Sequence, residues 1–308
     1  MSEFSDYSVK NYYTERNNNP LLPQSIRGCI IGKSGCGKTN LLMNLLLDGS
    51  VNSQDEYLDY NNLYVFSTTL FQPCYQALIN GFENGLSKKE IRQCFRKQDF
   101  VIEEKENVKP IINVVSSDSL EDIPDPSSID PDKKTLIIFD DLMLEKQNKI
   151  EQYYTRGRHN NIDCFYISQN YIKLPKNTIR ENANLFIIFP QDKLNLDYIY
   201  RDHCGEIDKP EFLEMISLVW KEKYSFLTID KTSEKDSGKF RKLLKYFYDQ
   251  MYSSMEEDLQ KMKRYEVRRK VAMIGSELRK YILKSREIQT MRKQEMIDFI
   301  IKFKDLNL

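Results

Sequence analysis

The chemistry of this 308-residue chain concentrates in residues 32–39, GKSGCGKT. They fit G-x-x-x-x-G-K-[ST], with 26–31 reading as a strand before them and 40–47 as a helix after, the setting in which a glycine-rich loop cradles phosphates. A polyphosphate needs many donors in a small concave space. Gly32, Gly35 and Gly37 let the backbone curl until its N–H groups converge, and the helix N-terminus adds its dipole. The whole segment, with Lys33, Ser34, Cys36 and Asn40, is the expected binding loop. Lys38 is spaced to reach the β- and γ-phosphate oxygens and the Thr39 hydroxyl to take one Mg²⁺ position, so ATP and Mg²⁺ are the expected ligands.

A second constellation lies downstream. TLIIFDD at 135–141 is a continuous apolar run ending in two acids. Such a run suits a parallel strand buried on both faces, and its C-terminal end is where open α/β sheets bind ligands. Alone, it reads equally as a strand entering an acidic turn. Combined with the phosphate loop it reads as a Walker B segment, with Asp140 holding Mg²⁺ and Asp141 polarising the attacking water. CFYIS at 164–168 is a further strand, and Gln169 at its tip is placed to sense the γ-phosphate. Arg156 and Arg158, in TRGRHNNID just before that strand, read either as a solvated turn or as arginines reaching a neighbouring subunit's γ-phosphate. IRENAN at 179–184 leads into one more buried strand, LFIIF at 185–189.

The order GKSGCGKT, TLIIFDD, RGRHNNIDCFYISQ, IRENANLFIIF resembles the FtsK–HerA superfamily of DNA-pumping ATPases. It is most similar to the genome-packaging ATPases of large double-stranded DNA viruses, virophages and polinton-type elements. In that family a G-R-x-x-x-I segment leads into a strand ending in glutamine, which matches Arg156, Arg158, Ile162 and Gln169 position by position. Two residues depart from the pattern: Asp141 stands where many members have glutamate, and Cys36 where a small Ser or Ala is usual. The resemblance implies a RecA-like, additional-strand (ASCE-type) α/β P-loop fold with a mainly parallel sheet flanked by helices. It also implies a homo-oligomeric ring of five or six subunits threading double-stranded DNA, with a capsid or portal-like protein as a further partner.

The elements that must position these residues follow from composition and periodicity. Forty per cent apolar content suffices for one large α/β domain and a smaller appendage. Residues 1–24, rich in Ser, Asn and Tyr, read as a flexible arm, 25–232 as the core, and 233–308 as a basic helical extension. Residues 231–308 carry 20 Lys/Arg against 12 Asp/Glu within a chain of zero net charge. Its charges suit either a solvated helix surface or contact with phosphate backbones. From Gly238 onward the spacing of Phe240, Leu243, Leu244, Phe247, Met251 and Met255 predicts nearly continuous helix, forming a hairpin on its own core or docking on a partner. Within the core, 63–67 and 112–116 read as strands, and 71–97 as helical with Phe71, Tyr75, Leu78 and Ile79 on one face. The proline-rich stretch 118–134 reads as a flexible connection. Helices are expected at 147–154, 194–200 and 210–220, and a last strand at 224–230.

No signal-peptide pattern and no long apolar run is visible, so the expectation is a soluble intracellular protein without membrane partners, in host cytoplasm or virion if viral. Six widely spaced cysteines without a C-x-x-C pair read as reduced thiols, and His203 with Cys204 lacks partners at metal spacing. Of the functions these features allow, an ATP-driven double-stranded DNA translocase leads, packaging DNA into a capsid. A DNA-facing loop is sought at 171–176. A nucleoside-kinase-type phosphotransferase and a nucleotide-gated scaffold are the alternatives; a GTPase would need an N-K-x-D motif, which is missing.

Overall fold

Parallel strands buried on both faces lose the inside-outside alternation of a surface strand, and the apolar runs of this chain become four such strands. In the computed structural model these are β1 (Arg27–Ile31), β4 (Thr135–Asp140), β5 (Ile162–Ser168) and β6 (Leu185–Ile188), every residue buried except Arg27. Each apolar side chain so enclosed contributes roughly 1.5–3 kcal/mol of transfer free energy. The structure describes residues 22–47, 58–97, 109–142, 147–233 and 238–242. The chain divides into two compact units, Met1–Ser233 and Glu234–Leu308.

In the first unit the strands lie in the order β3 (Asn113–Ser117), β2 (Asn62–Ser67), β4, β5, β1, β6 and β7 (Leu227–Asp230). All pairings from β3 to β6 are parallel, and β7 runs antiparallel to β6. Strand β5 is therefore inserted between the strand that feeds the phosphate loop and the strand that ends in the two acids. That insertion is the additional strand expected from the sequence.

The helices follow from capping and from apolar stripes. Helix α1 (Lys38–Leu47) opens directly out of the glycine loop and buries Leu42, Leu45 and Leu46. Pro73 starts α2 (Pro73–Glu83), where its missing N–H costs nothing, and Tyr75, Leu78 and Phe82 face inward. Helices α3 (Lys88–Lys97) and α4 (Asn148–Thr155) follow. The Asp192 carboxylate accepts from Asn195 N at 2.9 Å to cap α5 (Lys193–His203), and Pro210 sits in the first turn of α6 (Lys209–Val219).

A buried clamp anchors the start of β1 to its neighbours. Asn184 accepts from Arg27 N and donates to Ser25 O, and Asp163 accepts from Ile26 N at 2.7 Å while pairing with Lys134 at 3.3 Å. Leu22 is buried too, so the end of the expected N-terminal arm packs on the core.

Three expectations are corrected. Phe71 is exposed and precedes α2, because Pro73 sets the helix start two residues later. The stretch 118–134 is a built loop of two 3-10 turns, Leu120–Asp122 and Pro126–Ser128, capped by Ser119 and Asp125. It is tied to α4 through Tyr153 Oη donating to Pro124 O at 2.6 Å and Lys149 Nζ to Glu121 O at 2.6 Å. In the second unit, Phe240–Lys242 forms a short strand, β8, where helix was expected. The remaining apolar stripe from Leu243 to Met255, and residues 1–21, lie outside the described residues.

Candidate nucleotide site

The phosphate loop gets its shape from glycine. Gly35 and Gly37 have φ of 75° and 104°, in the region that disfavours any residue with a Cβ. At Gly32 the constraint is space: a Cβ there would stand 2.5 Å from Cys36 Sγ and 2.7 Å from Phe189 Cβ. The Lys38 ammonium donates to Gly32 O at 2.6 Å and Lys33 O at 3.0 Å, so it is held across the loop's own mouth. Burial pushes the Cys36 thiol up, against the pull of the Lys38 charge, and keeps it protonated at neutral pH.

Register brings the acids and the glutamine to the same sheet edge. Asp140 aligns with Ile167 of β5, which in turn aligns with Ile30 of β1, so the acid stands two strands, roughly 10 Å, from the phosphate-loop strand. Gly32 N donates to Ser168 O at 3.0 Å, seating Gln169 beside the loop. Gln169 Nε2 donates to Asp141 Oδ1 at 3.4 Å. The two acids diverge sharply. Asp140 ends the strand with its carboxylate buried, whereas Asp141 has φ of 56°, a conformation that aspartate tolerates better than most residues.

One contact went unseen in the sequence. The wholly buried Tyr75 donates from Oη to Asp140 Oδ2 at 2.6 Å. Burial pushes the Asp140 carboxyl up and the tyrosine bond partly offsets this; the tyrosine hydroxyl is itself pushed far up by burial and by that neighbouring acid. The available signal was position: residues following a parallel strand lie at the ligand edge, and β2 runs beside β4.

These groups share one cleft of about 720 Å³. Ser34, Gly35, Gly37, Lys38, Thr39, Asn40, Asp140, Asp141 and Gln169 line it, together with Thr69 and Gln72 from the β2–α2 segment and Phe189, Tyr224 and Phe226 from the β6–β7 side. Loop amides, an ammonium, a hydroxyl and a buried carboxylate are a donor set suited to a nucleoside triphosphate with Mg²⁺.

Arg156 is elsewhere. It is an exposed residue at the end of α4, ahead of β5, whereas Gln169 follows that strand, whose seven residues span about 23 Å. The turn that carries it is rigidly tied: Asn160 Nδ2 donates to Pro126 O at 2.6 Å, and Asn161, with φ of 56°, offers its carbonyl to Thr135 N. Arg158 lies on the same turn. Arg156 does not line the cleft of its own chain.

Two further sequence readings are resolved by burial. In the segment proposed to face DNA, Tyr171 and Leu174 are core residues, leaving Lys173 and Lys176 exposed. Tyr171 Oη pairs with His203 Nε2 at 2.7 Å and donates to Asp202 Oδ2, which also takes Arg180 at 2.7 Å. His203 packs on Phe186 in a tilted pair with centroids 4.2 Å apart. All six cysteines are free thiols, and Cys29 is pushed up to about 12 by burial. Among the described residues, no helix is long and apolar enough to cross a membrane.

A mainly parallel sheet with an extra strand between the phosphate-loop strand and the acid-bearing strand defines a P-loop NTPase of the RecA-like, additional-strand class. The sequence matches the family described as Poxvirus A32 protein over residues 14–261. The chain belongs to that family. No curated protein matches it.

Among solved structures, the genome packaging NTPase B204 of Sulfolobus turreted icosahedral virus 2 in complex with AMP is 12% identical. It covers 72% of this chain and 98% of its own at a TM-score of 0.44. The same protein with ATP-gammaS gives 13% identity, 68% and 93% coverage, and 0.42. VirB4 of Thermoanaerobacter pseudethanolicus gives 11% identity, 76% and 96% coverage, and 0.39.

Proposed function

We propose that this protein is an ATP-hydrolysing motor that translocates double-stranded DNA, packaging a viral genome into a capsid from the host cytoplasm. The observation that carries the reading is the split of the catalytic groups. Phosphate loop, acids and glutamine share one cleft, while the arginine turn sits at the opposite end of β5 on an exposed, rigid corner. A site so divided is completed by a second copy, as a ring of five or six subunits would do.

The loop amides and Lys38 hold the β- and γ-phosphates, and Thr39 with Asp140 holds Mg²⁺. The bound cation would neutralise charge on the phosphate oxygens. Tyr75 keeps Oδ2 of Asp140 engaged, which leaves Oδ1 as the oxygen open to the cleft. Asp141 orients the attacking water, Gln169 senses the γ-phosphate through its contact with Asp141, and Arg156 or Arg158 of a neighbouring subunit stabilises the charge that develops during transfer. Contacts to DNA are then chiefly to phosphate, salt-dependent and indifferent to sequence. A capsid or portal-like protein is the expected docking partner.

ATP turnover with and without long duplex DNA tests this, on wild type, Arg156→Ala, Arg158→Ala and mixtures of each with Lys38→Ala. DNA stimulation, lost in one arginine variant and partly restored by mixing, is the expected result. Turnover indifferent to DNA and to both arginines would overturn the motor reading and favour a small-molecule phosphotransferase.

A further inference from the structure

The cleft is polarised along the sheet edge. Asp140, Asp141 and Gln169 stand on the β4–β5 side, the phosphate loop lies in the middle, and the β6–β7 side is aromatic. A nucleoside triphosphate has the same polarity, with charged phosphates at one end and a flat π-system at the other. With the γ-phosphate directed at the acids, the base must fall on the β6–β7 side.

We propose that Tyr224 is the platform on which the nucleotide base stacks; this rests on the nucleotide-binding reading of the cleft. Tyr224 is 57% exposed, while the Phe189 and Phe226 beside it are buried and pack with centroids 5.2 Å apart, giving the aromatic end a fixed floor. The tyrosine is held in place by its backbone. Its φ is 65°, a costly conformation for a bulky residue. The next residue pins it, since the buried Ser225 hydroxyl donates to Val219 O at 2.5 Å and to Glu222 O at 2.8 Å. The ring lies against the phosphate loop: a Cβ built on Gly37 would stand 3.5 Å from Tyr224 Cδ1. An exposed aromatic kept in a strained turn at that spot serves a ligand better than it serves the core. The strand expected to begin at Tyr224 starts at Leu227, and Tyr224 and Phe226 just before it form this wall.

Binding of ATPγS and of inorganic tripolyphosphate to the full chain, measured by calorimetry, separates the base from the phosphates. Tyr224→Gly accepts the positive φ without strain and removes only the ring. It should weaken ATPγS about 5- to 150-fold, the range that base–aromatic stacking carries, with tripolyphosphate unchanged. Tyr224→Phe should keep ATPγS within about twofold by the same stacking argument. If the ratio of the two affinities is the same in wild type and Tyr224→Gly, the platform is wrong, while loss of both ligands in Lys38→Ala would still uphold the nucleotide site. If Lys38→Ala binds both ligands like wild type, the reading of the cleft itself fails and the inference with it.

Discussion

Replacing Tyr75 by phenylalanine removes one oxygen atom from a wholly buried ring and leaves its packing in place. That oxygen donates at 2.6 Å to a carboxylate only 7% exposed, so the variant deletes a charge-assisted hydrogen bond inside the core. Bonds of this kind contribute about 1.5–3 kcal/mol. The pH dependence has a definite sign. Burial raises the Asp140 carboxyl above its unfolded value, so its contribution to stability is full below the unfolded value, near 4, and is lost as pH rises through the folded one. The tyrosine bond opposes that rise. Without it the folded value climbs further, and the deficit of the variant grows from acid toward neutral pH. Urea unfolding with chelator present, at pH 5 and pH 7.5, should give a deficit of about 1.5–3 kcal/mol at the higher pH and a smaller one at the lower. A deficit below about 0.5 kcal/mol at pH 7.5, or a larger one at pH 5, would refute the argument.

The remaining predictions concern the loop and the base of β1. Gly32→Ala drives a Cβ into Phe189 and Cys36, so it should lose nucleotide binding in a titration and cost about 1–3 kcal/mol in unfolding. Gly35→Ala meets nothing within 4 Å, so only its positive φ is penalised, by about 1–2 kcal/mol. Asp163→Asn leaves the buried Lys134 ammonium without that counter-charge and should cost about 3–5 kcal/mol in denaturant titration. A loss under 1 kcal/mol would show that the pair is not structural.

What was legible in the sequence was what local chemistry dictates. Glycines at 32, 35 and 37 before Lys38 have few uses besides a phosphate loop, and the unbroken runs ending at Asp140 and Ser168 announce strands enclosed on both faces. What was hidden is long-range. No residue type around Tyr75 names Asp140, 65 residues away in sequence, as its partner; only its place after β2 hints at the ligand edge. Nothing near Tyr224 announces a left-handed turn, since the cause is the hydroxyl of Ser225 reaching back to α6. The prolines of 118–134 were read as looseness, yet two of them sit in a loop that α4 and Asn160 hold through backbone carbonyls. A carbonyl acceptor carries no side-chain signature, so such tethers leave no trace in residue type.

Strand β5 has a consequence for timing. It is buried from Ile162 to Ser168, paired with β4 over Ile162–Ile167 and with β1 over Cys164–Ser168, so no part of it is an unpaired joint. Its two ends carry the glutamine and the arginine turn, and the strand between them behaves as a strut. A displacement at Gln169 therefore reaches the arginine corner without a hinge to absorb or delay it. Copies sharing sites across that corner, as the proposed ring requires, would be kept in phase by the stiffness of a single strand.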